Sequence, residues 1–153
     1  TSTDAKFETG ACSMDNQGGM WVYAKASETI AAFVLSKIST AAVRLAEGVK
    51  TTDIALLVPM LGIPQVNFAI DEFGWFWRGP GGGVGKGIKV LAAASCVKDV
   101  LLFTTATDGV VDDAVVTDSA VAGLTICATV TSAAAAECYS SVMLACNQDE
   151  GVA

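Results

Sequence analysis

The chain has 153 residues, of which 52% are apolar and 16% charged, with a net charge of −7 and no histidine. This balance excludes wholesale disorder and suffices for one domain with a sizeable core. The missing imidazole excludes Ser-His-Asp and Cys-His catalysis and every histidine-based zinc site.

Charge is spread unevenly. Residues 1–98 carry all nine Lys and Arg against eight acids, whereas residues 99–153 carry eight acids and no base. Polyanion binding needs clustered Lys and Arg to displace counterions, and no cluster exists, so no direct nucleic-acid partner is expected. The longest apolar run has ten residues, from Ile54 to Ile63, and is broken by Pro59 and Gly62. A membrane-spanning helix needs about 20, so no membrane partner is expected either. The amino end lacks the basic-then-apolar pattern of a signal peptide.

In chain order, residues 1–20 contain few large apolar side chains and include Gly10, Gly18 and Gly19. They read as an extended N-terminal arm, which a neighbouring subunit could order. Thr1 as an amino-terminal nucleophile would need supporting groups and a cleft, which a polar arm does not offer. From residue 21 the texture becomes that of short strands. Strand formers or alternation mark 21–25, 33–38, 64–69, 73–78, 87–91, 101–105, 110–112, 122–126 and 137–144. Ser27 is positioned to cap a short helix through Ala32, and Thr51 or Thr52 one turn before Pro59. Thr107-Asp108-Gly109-Val110 reads as a type I′ hairpin turn.

Strands at this spacing predict a mainly β fold, a compact β-sandwich or barrel-like domain over 21–147, with short helical turns and a polar tail at 148–153. The strongest strand places Phe73, Trp75 and Trp77 on one face and Gly74 and Phe76 on the other. Rings on both faces imply that both are covered. A chain of this size exposes about 7,200 Å² when folded alone, with few charges to coat it, so part of the apolar excess is expected between subunits. Phe7, Trp21, Phe73, Trp75, Phe76 and Trp77 are the candidate interface residues, those of the strand being expected in the core or at the interface.

Three other constellations are weak. The run at residues 79–87, Gly-Pro-Gly-Gly-Gly-Val-Gly-Lys-Gly, has Pro80 where a Walker loop needs glycine and Gly87 where it needs Ser or Thr, and so reads as a flexible connection. Asp108, Asp112, Asp113 and Asp118 could gather around a hard cation, but their spacing is not that of an EF-hand, and a solvated hairpin end is the simpler reading. The five cysteines contain no CxxC pair. Cys96 and Cys127 sit in apolar contexts as small hydrophobes, and Cys138 and Cys146 either pair or, like the others, remain free thiols in a reducing cytosol.

Residues 62–76, Gly-Ile-Pro-Gln-Val-Asn-Phe-Ala-Ile-Asp-Glu-Phe-Gly-Trp-Phe, resemble a G-x-P-Q-V-x-F-A-D-G-E-Y-G-W stretch of small tailed-phage head proteins. Ala92-Ala93-Ala94-Ser95-Cys96, then 101–113, then Val121-Ala122-Gly123-Leu124-Thr125 and an Ala-rich turn follow in the same order. Over about residues 60–145 the layout is similar to the decoration, or cement, proteins of bacteriophage capsids. The family's A-D-G-E is Ala69-Ile70-Asp71-Glu72 here. The arm and the 79–87 run have no counterpart. The resemblance implies a mainly β homotrimer on the exterior of the virion, made in the bacterial host cytoplasm. It would bind the major capsid protein and stabilise the head without catalytic, cofactor-binding or metal-binding residues. The alternatives are another virion structural subunit, such as a minor head or tail protein, or a carbohydrate-binding β module using Trp75 or Trp77.

Overall fold

The computed structural model describes residues 1–51, 60–117 and 119–147, and these form a mainly β domain. Fourteen strands occur among them: β1 (Cys12–Met14), β2 (Met20–Ala26), β3 (Ser36–Ile38), β4 (Leu45–Gly48), β5 (Leu61–Pro64), β6 (Phe73–Trp77), β7 (Gly81–Gly82), β8 (Lys89–Ala92), β9 (Leu102–Thr104), β10 (Val111–Asp112), β11 (Ala120–Val121), β12 (Leu124–Ile126), β13 (Ala134–Ser140) and β14 (Cys146–Asn147).

The amino half closes into a five-strand barrel in the order β2-β4-β3-β5-β6, with β6 returning to β2 along the register Trp21↔Trp77 to Lys25↔Phe73. The strand β1 lies beside the amino end of β2, on Met20, Trp21 and Val22, while β4 runs parallel to its carboxyl end at Lys25 and Ala26. The carboxyl half forms a second sheet, β12-β13-β8-β10-β9-β11-β14, with β7 on β13.

Two cores follow from the alternation of side chains along these strands. Val22, Ala24 and Ala26 of β2 meet Ile38, Ala46, Phe68 and Phe76 inside the barrel. Leu61, Ile63 and Trp77 point outward and meet Val90, Leu102, Val111, Leu124 and Ile126 of the second sheet. Trp77 is completely buried there. Of the two places expected for the rings of this strand, core or interface, Phe76 and Trp77 take the core of the single chain. The total exposed surface, 7369 Å², is that of an ordinary monomer of this size.

The segment 64–69 does not continue as a strand. Pro64 ends β5, and the chain then turns so that Phe68 enters the barrel, stacks on Phe76 at 4.9 Å and makes an isolated bridge with Ile30. Asp71 completes the turn at φ 69°, a left-handed conformation that Asp tolerates better than most residues. Gly74 is required opposite: a Cβ there would lie 2.6 Å from the Phe68 ring. Gln65 spans the two layers, accepting from the Lys89 amide at 2.9 Å and donating to the Lys89 carbonyl at 3.0 Å.

Other local expectations change too. No helix forms over 27–32, because Ser27 gives both its amide and its hydroxyl to the Ala46 carbonyl. The turn expected after Thr51 or Thr52 falls mainly outside the described residues. The strands β9 and β10 do pair antiparallel, but through a connection of several residues in which Gly109 alone, not Asp108, has positive φ. That is not a type I′ turn. Gly109 instead docks by backbone bonds to Leu35 and Val49, where a side chain would collide with Val34. β13 starts earlier than the sequence suggests, and β14 is separate.

The Phe68–Gly74 contact predicts a measurable coupling. Gly74→Ala should lower stability in urea unfolding by about 1–3 kcal/mol through overpacking. Combining it with Phe68→Leu should cost less than the sum of the single changes, whereas strict additivity would contradict the contact.

Candidate functional site: the exposed rim of the barrel and the second sheet

Outward-pointing Tyr23, Phe73 and Trp75 form an aromatic panel on the barrel, with Tyr23 and Trp75 centroids 5.1 Å apart. The N-terminal arm lies across it. Phe7 packs 5.3 Å from Tyr23 and 5.2 Å from Trp75. Backbone bonds pin the arm at both ends: Ser2 exchanges two with Phe73, and Gly10 and Ala11 bond Tyr23. The Lys6 amide donates to the Tyr23 hydroxyl at 3.0 Å. The arm is thus docked on its own barrel, and what it offers to a neighbour is its outer face, where Phe7 remains 53% and Met14 68% exposed.

Of the sequence-derived candidates, the structure brings Phe7, Phe73 and Trp75 together, with Trp21 alongside. Trp21, Phe73 and Trp75 are half-buried. Phe76 and Trp77 are core, with no exposed area, and Trp77 therefore offers no stacking surface to a sugar. A small cleft of about 300 Å³ opens between Trp21 and Trp75, lined also by Ser13, Met14 and Asp15. Asp15 accepts from the Trp21 indole and from the Gln17 and Gly19 amides, each at 2.8 Å. Partial burial opposes its ionisation, but these bonds outweigh it and hold the carboxyl below its ordinary pKa.

A second concavity, about 610 Å³, lies at the end of the second sheet between Leu101, Ala120, Ala122, Val142, Met143 and Ala145. Leu101, Val142 and Met143 expose 37%, 45% and 39% of their surface there. No single sequence pattern marks this groove, because its walls come from three separate stretches.

The 79–87 run is not a phosphate cradle. Gly81 and Gly82 pair with Ser140 and Tyr139, and a Cβ on Gly82 would strike the Cys138 carbonyl, so glycine is needed for close approach to β13. The Gly85 amide donates to both oxygens of the Glu137 carboxylate at 3.1 Å, which places an internal anion where a phosphate would sit. Thr1 is exposed rather than set in a cleft.

The acidic residues of the carboxyl half do not gather as one group. Asp108 pairs with Lys50 at 3.1 Å, Asp112 and Asp113 lie together beside Cys96, and Asp118 falls outside the described residues. Cys138 is a free buried thiol, with its pKa pushed up by burial. Cys96 is buried, Cys127 half-buried, and Cys12 exposed. Arg78, nearly buried, was not anticipated from sequence. Its Nε donates to the Leu61 carbonyl at 3.2 Å, and burial lowers its pKa.

Comparison with family models, with curated proteins and with solved structures finds no match to this chain.

The thiol environments predict an order of reactivity. In the native protein a thiol reagent should label Cys12 rapidly and leave Cys96 and Cys138 untouched until denaturant is added, as peptide mapping by mass spectrometry can follow. Fast native labelling of Cys138 would contradict the packing of β13.

Proposed function

We propose that this chain is a decoration protein of a tailed-bacteriophage head, a homotrimer that binds the outer surface and bridges major capsid protein subunits without catalysis. The observation that carries the reading is the 62–76 sequence, whose residues work as one structural unit. Gly62 permits close packing of Ile38 and Phe76, Gln65 ties the layers, Phe68 fills the barrel over Gly74, and Asp71 takes a left-handed turn where the family pattern has glycine. Coherent local geometry across the segment supports reading it as one fold element.

The surface supports the same role. Exposed apolar side chains include Val66 and Ile70 within the motif, Phe7 and Met14 on the arm, and Leu101, Val142 and Met143 at the groove. Such scattered side chains suit a protein that settles on a large pre-formed surface. Mechanistically, a protein that binds only the assembled lattice lowers the free energy of that lattice relative to ruptured states, by mass action and with no chemical step.

A second reading, a carbohydrate-binding module, is favoured by the cleft of Trp21, Trp75 and Asp15 alone, since two indoles and an ionised carboxylate are what a sugar ring is bound by. Quenching of tryptophan fluorescence by added oligosaccharides, lost in Trp75→Ala, would favour it over the capsid reading.

The arm provides the direct test. Deleting residues 1–11 removes Phe7 and the Ser2 pairing while keeping the barrel strands. The truncated protein should retain its far-ultraviolet circular dichroism yet occupy purified heads of its phage at least tenfold less well. Undiminished occupancy would remove the arm from the interface.

A further inference from the structure

Ala92 of β8 pairs in parallel with Val111 of β10, and the Ala93 amide then bonds the Val111 carbonyl. This pairing brings the turn after β8 against the end of β10. Cys96, fixed there by its amide bond to Ala93 and by the Val130 amide on its carbonyl, reaches Asp112 and Asp113. One sulfur and two carboxylate oxygens all lie within 4.8 Å of one another.

The Cys96 side chain has no exposed area. Among the described residues its thiol donates no hydrogen bond, and its one polar contact is the Asp113 backbone amide, which favours a thiolate. The two carboxylates are half-buried, and no lysine or arginine forms an ion pair with either among the described residues. A wholly enclosed thiol is therefore aimed into a pair of acids that have no counter-charge. Like charges crowded in this way are relieved by a cation.

We propose that Cys96, Asp112 and Asp113 form a binding site for a borderline-soft divalent metal ion, zinc by preference, with water completing the coordination. The donor set decides the class. A thiolate selects against calcium and magnesium, which take oxygen ligands, while zinc accepts sulfur and carboxylate together. Around a tetrahedral zinc, ligand atoms sit about 3.5 Å apart, given bonds of about 2.0–2.3 Å. The observed spread needs only modest contraction of two aspartate rotamers. The ion would clamp the turn after β8 to β10 and so stabilise the second sheet. Binding displaces the thiol proton to solvent. This inference is independent of the capsid reading, since it rests on different residues.

The test uses the full chain, reduced and stripped with a chelator. Titration with cobalt(II) should give one equivalent of binding with a thiolate-to-metal charge-transfer band in the near ultraviolet. Zinc should displace it, and millimolar calcium or magnesium should not. Cys96→Ala should abolish the band, and Asp112→Asn or Asp113→Asn should weaken binding at least tenfold, while Cys12→Ala and Cys127→Ala should bind as the parent does. Should Cys96→Ala fail to fold, the aspartate variants decide: loss of binding supports the site, and parent-like binding overturns it. Absence of the band in the parent, or its survival in folded Cys96→Ala, overturns the proposal outright.

Discussion

The strand β6 must be covered on both faces, and the rest of the architecture follows from how that is done. Phe76 points into the barrel and Trp77 points out of it, yet neither exposes any surface. A barrel alone would bury the first and leave the second in water. The second sheet resolves this by packing Val90, Leu102, Leu124 and Ile126 against the outer wall that Leu61, Ile63 and Trp77 make. Truncating such a ring typically costs about 3–5 kcal/mol, a large part of the 5–15 kcal/mol that holds a domain together. The layers are therefore one cooperative unit rather than two modules on a string.

Covering β6 internally shifts attention to what remains outside. Only the far end of the same strand, Phe73 and Trp75, still needs a lid, and the N-terminal arm supplies it through Phe7. The arm is thus both part of the fold and the carrier of exposed apolar groups. With strands this short, most residues sit in turns and rims, where a side chain can be presented without disturbing a core.

The class of fold was legible because alternation and β-branched or aromatic enrichment mark β2, β6 and β8 locally. The two-faced ring pattern of β6 also announced burial on both sides. What it could not announce was the identity of the cover, since a second sheet and a second subunit satisfy the same hydrophobic demand. The strand β4 was missed because Leu45-Ala46-Glu47-Gly48 carries little strand propensity and is held by its parallel place beside β2. The strand β7 is two glycines whose only signature is the absence of side chains. The segment 64–69 misled by alternating, although its Phe68 is a core residue delivered by a turn. Cys96 was legible as buried but not as a neighbour of Asp112 and Asp113. Nothing in the spacing reveals that contact, which depends on the parallel register of β8 and β10.

The capsid reading is tested most directly by the thermal rupture of heads lacking this protein, with and without its addition. The account predicts that expanded heads take up a saturating number of copies divisible by three and rupture several degrees higher, while unexpanded heads bind little. Saturable binding that leaves the rupture temperature unchanged, or no binding to expanded heads, would contradict it.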